Sequence, residues 1–138
     1  MRLLKIPIAA MLLLLVWSAW AGERVVLIGH ASMRKLDLVT VQRIYTGKVV
    51  EIDGNPVIPL NAQPNQVNRL RFLSDYLQQD EEKFVAYWTV RRYVGKGTPP
   101  REFPDSASLI AYIQKTPGAI GYVNDSEVTP SMNVLLRR

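Results

Sequence analysis

His30 and Ser32 are the residues whose types come nearest to a hydrolytic pair in this chain of 138 residues. The chain has one histidine and no cysteine, so a base-and-nucleophile site would have to use His30. No strained strand-to-helix elbow carries Ser32, and residues so close in sequence rarely form a triad. The pattern favours a solvated loop histidine, and we do not expect an enzyme.

Metal and phosphate-loop sites have even less support in the sequence. The lack of cysteine excludes thiolate ligands, and one histidine without spaced carboxylates makes no metal-binding set. Residues 80–82 are consecutive acids, which suit the first turn of a helix. Gly95-Lys96-Gly97-Thr98 runs into two prolines and has no strand before it, unlike a P-loop. We therefore expect neither a metal nor a cofactor.

The stretch KTPGAIGYV, residues 115–123, has two glycines three residues apart. It does not fit G-x-G-x-x-G, and it leads from a helix into a strand rather than the reverse. Pro117-Gly118 is expected to end a helix, and Gly121 is expected to allow close backbone approach in the core. The stretch predicts architecture rather than catalysis.

The elements that must position these residues alternate between strands and helices. Strands are predicted over residues 24–29, 119–123 and 132–136, and residues 49–52 and 57–60 flank the turn Asp53-Gly54-Asn55. Helices are predicted to start at Thr40, at Asn65, at residues 80–82 and at Asp105 or Ser106. The second helix carries an apolar face of Leu70, Leu73 and Leu77. This order predicts an α/β fold, a three-layer α/β sandwich around a central sheet, in one domain.

The first 21 residues have the pattern of a cleaved export signal. Arg2 and Lys5 precede an apolar run over residues 6–17, and Ala19-Trp20-Ala21 is a small-x-small cleavage site. The run is shorter than the roughly 20 residues that span a bilayer, so a membrane anchor is the less favoured alternative. The expected mature domain is residues 22–138, periplasmic in a Gram-negative source and without a membrane span after cleavage.

The charge of the mature chain is mildly positive. The signal holds two of the seventeen basic residues, so that fifteen basic residues remain against twelve acidic ones. Nucleic-acid binding needs a concentrated basic face. The basic residues of the central region are scattered instead, which favours a solvated surface: Arg69, Arg71, Arg91, Arg92 and Lys96. We do not expect a nucleic-acid partner.

Four segments, in order, resemble the phosphate-type periplasmic substrate-binding proteins of ABC transporters. They are LDLVTVQRIYTGKV (36–49), EIDGNPVIPL (51–60), FVAYWTVRRYVGKGTPPRE (84–102) and TPGAIGYV (116–123). The resemblance covers roughly residues 25–134. It implies a type 2 periplasmic binding protein fold, and because that family is two-lobed, this chain is long enough for a single lobe only.

The resemblance also implies where an anion would bind. In the family, an Arg and a Ser-Gly-Thr turn at a helix start hold the phosphate. In the corresponding stretch NAQPNQVNRLRF (61–72), Ala62 replaces the Arg and Gln66-Val67-Asn68 replaces the turn, which removes charge-assisted donors. The candidate ligand residues, around a shallow polar site, are Gln66, Asn68, Arg69 and Ser32. The alternative is that Asn65 caps the helix and its neighbours are solvated.

Two functions follow from these observations. The resemblance implies a solute-binding-type domain that binds a small oxyanion such as phosphate and works with a membrane transporter or a sensor protein. The alternative is a periplasmic interaction module that has lost anion binding and offers Tyr87, Trp88 and Tyr93 to another protein or to a second copy.

Overall fold

The computed structural model describes residues 23–138, and the expected export signal over residues 1–21 lies outside the described residues. The helices α1 to α4 span Leu38–Tyr45, Val67–Phe72, Glu81–Tyr93 and Ser106–Lys115. The strands β1 to β7 span Val25–Gly29, Glu51–Ile52, Asn55–Pro56, Ile58–Ala62, Arg101–Phe103, Ala119–Asn124 and Asn133–Arg137. A π-helical turn, Leu73–Leu77, continues α2, and a 3-10 turn, Asp125–Glu127, follows β6.

Five strands form one mixed sheet in the order β5-β4-β6-β1-β7, and β2 and β3 form a separate hairpin. Strand β4 pairs in parallel with β5 and β6, whereas β1 pairs antiparallel with β6 and β7. The carboxyl ends of β4, β5 and β6 therefore lie at one end of the sheet, and the carboxyl end of β1 lies at the opposite end.

Helices cover both faces of this sheet. Val25 and Leu27 pack with side chains of α1, α2 and α3, whereas Val26 and Ile28 pack with Leu109 and Ile113 of α4 and their neighbours. The predicted α/β class and its three layers are confirmed. So is the prediction that the first strand is buried on both faces.

Two of the four predicted helix starts are confirmed by the structure. The side chains of Asp80 and Asp105 accept hydrogen bonds from the third amide of α3 and of α4, at 2.8 and 2.7 Å. The prediction of Thr40 as a cap is wrong, because Asp37 accepts the Thr40 N–H and α1 begins before it. Asn65 is not a cap either, since its backbone is left-handed (φ 74°) and Gln66 is the N-cap residue, although its side chain accepts no capping hydrogen bond.

The apolar face predicted for the second helix is displaced. Leu70 is 47% exposed, whereas Phe72, Leu73 and Tyr76 are fully buried. Residues three and four apart share a helix face, and the residue that continues this buried stripe toward the N-terminus is Arg69, not Leu70. The burial of Arg69 shapes the site described below.

The stretch KTPGAIGYV is architectural, as predicted. The stretch ends α4 and begins β6. Gly118 has φ +83°, and a Cβ added there would lie only 2.1 Å from the Pro56 carbonyl oxygen. At Gly121 an added Cβ would lie 3.0 Å from Leu109, so glycine lets α4 pack closely on the sheet.

Candidate functional site

A cavity of about 170 Å³ lies between α3 and the edge of the sheet, where it runs along β5 and reaches the carboxyl end of β4. We call it the β4–α3 cavity. The residues that line it are Asn61, Arg69, Phe84, Val85, Trp88, Thr89, Arg92, Pro99, Pro100 and Glu102. In open α/β sheets, ligands commonly bind outside the carboxyl ends of the strands, which makes this cavity the candidate site.

Arg69 is the charged centre of the cavity wall, and its side chain is 3% exposed. Its Nε and Nη2 atoms donate to the two carboxylate oxygens of Glu81 at 2.8 and 2.6 Å. Its Nη1 atom donates to the Glu102 carboxylate at 2.8 Å and to the Ala62 carbonyl at 2.9 Å. The guanidinium also lies over the Phe84 ring, 5.4 Å from its centroid.

These contacts change what Arg69 can do for a ligand. Four hydrogen bonds use four of the five N–H groups of the guanidinium. Two carboxylates against one guanidinium leave this cluster with one net negative charge. A dianion would therefore meet repulsion from this cluster unless Glu81 or Glu102 moved away, and Arg92 is the cation of the lining that lies outside the cluster.

Asn61 lines the cavity and is 1% exposed. Its Oδ1 accepts a hydrogen bond from the Tyr122 hydroxyl, which in turn accepts the Ala62 N–H at 3.0 Å. The Asn61 Nδ2 group is buried and has no partner among the described residues. Buried side-chain polar groups are usually paired, so this amide is an unused donor in the cavity wall.

Tyr122 keeps this arrangement fixed. Burial raises the pKa of its phenol above the ordinary value, so the hydroxyl keeps its proton and donates it to Asn61. Its ring stacks on Phe72 with centroids 4.1 Å apart and planes 8° apart. The aromatic packing on α2 therefore fixes the donor direction of the Asn61 amide.

The structure brings three of the four sequence-predicted ligand residues to one end of the sheet. Gln66 and Asn68 follow β4 with Arg69, but Gln66 Nε2 already donates to the Pro104 carbonyl at 2.6 Å. The Asn68 Oδ1 atom is buried without a partner in the part of the chain that the structure describes. The prediction that Arg69 is solvated is wrong, because the helix register buries it.

Ser32 lies at the opposite end of the sheet from the other three. Its hydroxyl is 2.7 Å from His30 Nδ1, just beyond the carboxyl end of β1 and the amino ends of β4 and β6. The five residues of β4, at about 3.3 Å each, separate it from the β4–α3 cavity by about 15 Å. Ser32 therefore lies apart from Gln66, Asn68 and Arg69, and of these four predicted ligand residues only Arg69 lines the β4–α3 cavity.

Sequence reasoning missed Asn61, Glu81, Glu102 and Tyr122. Asn61 and Glu102 are neighbours in the parallel register of β4 and β5, and Tyr122 is 61 residues from Asn61 in the chain. An isolated polar residue at the end of an apolar strand was the available signal for Asn61. The strand order that joins it to Glu102 was not readable from one sequence.

Other kinds of site find no support in residues 23–138. No group of three histidine or acidic residues is placed to hold a metal ion there. Within the same residues, no helix has the length and apolar character needed to cross a membrane.

Comparison with known proteins gives the fold. No protein-family model and no curated protein matches the chain. A Clostridium perfringens structure described as a phosphate ABC transporter substrate-binding protein, with bound phosphate, aligns at 19% identity and TM-score 0.64. An ABC-type phosphate transport receptor from Vibrio cholerae aligns at 10% and 0.63, and PstS from Borrelia burgdorferi at 12% and 0.57.

Each alignment covers 82% of this chain but only 44 to 46% of the solved structure. The chain thus spans less than half the length of these proteins. At such low identity the likeness shows the fold alone, and it is the periplasmic binding protein-like fold that the sequence resemblance implies.

Proposed function

We propose that this chain is an exported, periplasmic solute-binding domain, residues 22–138, that holds a small solute in the β4–α3 cavity. The observation that carries the proposal is the Asn61 side chain, which lines the cavity and whose buried amide has no acceptor among the described residues. A buried donor left unpaired costs about 1 to 3 kcal/mol, and a solute oxygen would remove that cost. The similarity in fold to phosphate-binding proteins supports the same assignment.

The solute proposed first is a small oxyanion such as phosphate. Asn61 would donate to it, and Arg69 would attract it only if one of the two carboxylates gave way. We therefore expect weak binding. Replacing Glu102 with Gln removes one negative charge while keeping its shape, and it should strengthen anion binding by about tenfold or less, as expected for one partly exposed charge.

Isothermal titration of the purified protein with phosphate, sulfate and molybdate tests the anion proposal. Asn61→Ala should abolish the heat of binding, and the matched control Asn55→Ala, in the exposed hairpin, should leave it unchanged. Flat traces for the parent protein and for Glu102→Gln at millimolar anion would remove the oxyanion. Binding that survives Asn61→Ala would remove the cavity as its site.

A membrane transporter or a sensor protein is the proposed partner of the loaded domain. Cross-linking in cells, followed by mass spectrometry of the membrane fraction, tests this step separately from solute binding. Capture of a permease would favour transport, and capture of a sensor would favour signalling. Capture of neither, under conditions that cross-link a known periplasmic pair, would oppose the partner proposal.

A second candidate function, an interaction module without a solute, has an observation of its own. Helix α3 exposes Val85, Val90 and Tyr93 to solvent, and Val94, which directly follows the helix, is exposed as well. Trp88 does not contribute to this surface because it is buried against α1 and donates to the Tyr45 carbonyl. A protein that binds a partner while every solute gives flat traces would favour this candidate.

A further inference from the structure

Helix α3 presents an apolar face that nothing else in the described chain covers. Tyr93 is 92% exposed, Val90 63% and Val85 47%. With the small residues Ala86 and Thr89 they recur at three- and four-residue steps, so they share one outward face of the helix. We call these five residues the α3 face. Contiguous apolar patches of this kind mark interaction sites more often than single exposed side chains do.

Charge is unevenly distributed along the same helix. Glu81 and Glu82 lie in its first turn, beside the exposed Lys83, and Arg91 and Arg92 lie in its last turn. Glu81 is used by Arg69, whereas neither Glu82 nor Arg92 makes an ion pair with another described residue. The α3 face therefore lies between an unused acid at one end and an unused base at the other.

This arrangement is complementary to itself. A helix of 13 residues is about 20 Å long, and an antiparallel copy of it places each acidic end beside a basic end. Two-fold symmetry would then pair Glu82 with Arg92 of the second copy twice. Ala86 and Thr89 lie near the middle, where small side chains allow two helices to approach closely.

We infer that the α3 face binds a second copy of this chain, with the two α3 helices packed antiparallel. A lipid surface would favour basic residues along the whole polar border of the face, and here the unpaired Glu82 lies at one end. The contact is small, so the dimer is expected to be weak and to form in the micromolar to millimolar range. The inference does not depend on solute binding.

Sedimentation equilibrium of the purified protein over a concentration series tests it. The parent protein should show a reversible monomer–dimer equilibrium. Val90→Lys should weaken the dimer by about tenfold or more, because it places a charge in the apolar contact. The matched control Val50→Lys changes a valine of similar exposure (66%) outside α3 and should leave the equilibrium unchanged.

A charge exchange tests the antiparallel arrangement. Glu82→Arg and Arg92→Glu should each weaken the dimer by several-fold to about tenfold, and the double variant should restore it, because each reversal affects two symmetric pairs. A monomer at every concentration would overturn the inference. A dimer that responds equally to Val50→Lys and Val90→Lys, or a double variant weaker than both single ones, would overturn it as well.

Discussion

Arg69 lies in the wall of the β4–α3 cavity, but its guanidinium bonds to groups of the protein instead of remaining free for a solute. In this chain the guanidinium at the carboxyl end of β4 bonds to the side chains of Glu81 and Glu102 and to the Ala62 carbonyl. It therefore ties α2, α3, β4 and β5 together. The lining donors outside this cluster include the Asn61 amide, which is uncharged, and Arg92, which makes no ion pair with another described residue.

We expect Arg69→Ala to destabilise the fold by about 3 to 5 kcal/mol. The substitution leaves two carboxylates side by side next to an unpaired Ala62 carbonyl, and breaking a buried ion pair typically costs this much. Urea unfolding followed by circular dichroism measures it. The control Arg71→Ala removes an arginine whose side chain, within residues 23–138, donates to the Glu23 carbonyl alone, and it should cost about 1 kcal/mol or less. Equal losses for the two variants would contradict the structural role of Arg69.

Three buried tyrosines predict how stability depends on alkaline pH. Burial raises the pKa of Tyr45, Tyr76 and Tyr122 above the ordinary value of 10.0. Above pH 10 the unfolded chain loses phenol protons that the folded chain keeps, so the free energy of unfolding should fall as pH rises. Each such tyrosine contributes at most about 1.4 kcal/mol per pH unit there.

Urea unfolding between neutral pH and pH 11 checks this dependence. Tyr122→Phe should make the slope above pH 10 shallower, and Tyr93→Phe, at an exposed position, should not change it. A slope that is the same in Tyr122→Phe and the parent protein would show that the Tyr122 phenol ionises equally in both states.

At the scale of elements, local patterns predicted most of the fold, and pairing between distant segments limited the rest. The alternation of strands and helices, the glycines of residues 115–123 and the acidic helix starts could all be recognised within a few residues. The cap at Asp37 was missed because Thr40 is also a good capping residue by type. Arg69 was misplaced because its burial depends on Glu81 and Glu102, which lie 12 and 33 residues away.

Pairing between distant segments also limited what could be predicted of the candidate site. The resemblance directed attention to residues 61–72, and the cavity does lie at that end of the sheet. Ser32 could not be placed, because the antiparallel pairing of β1 with β6 is what carries it to the opposite end. The place of Asn61 in the cavity wall depends on its contacts with Tyr122 and β5, which are distant in the sequence.

Gly118 provides a test of how the elements are joined. Gly118 and Gly54 have nearly equal backbone angles, φ +83° and +81°, so alanine is strained in both by about 1 kcal/mol. At Gly118 the new Cβ would also lie 2.1 Å from the Pro56 carbonyl oxygen, whereas at Gly54 it meets nothing within 4 Å. Gly118→Ala should therefore cost at least about 2 kcal/mol more in urea unfolding. Similar losses would contradict the close contact between the hairpin and the start of β6.

At the scale of the whole molecule, the cavity and the α3 face share residues. Val85 and Thr89 line the β4–α3 cavity and also belong to the α3 face, and Arg92 lies at both. A second copy packed on α3 would therefore lie next to the cavity mouth. The cavity is open to solvent in a chain that spans less than half the length of the phosphate-binding proteins of similar fold.

This shared border predicts that solute binding and self-association are coupled. A copy beside the mouth would exclude water from it, which strengthens the polar contacts of a bound solute and so raises the solute affinity. By thermodynamic linkage a saturating solute must then tighten the dimer by the same factor. For two sites that share a border we expect about fivefold or more, within the usual range of coupling energies. Sedimentation equilibrium of Glu102→Gln with and without saturating phosphate measures the factor. Asn61→Ala, which should dimerise normally but not bind, is the control. An unchanged dimer affinity in saturated protein would show that the copy lies away from the mouth, even where solute binding and dimer formation are each observed.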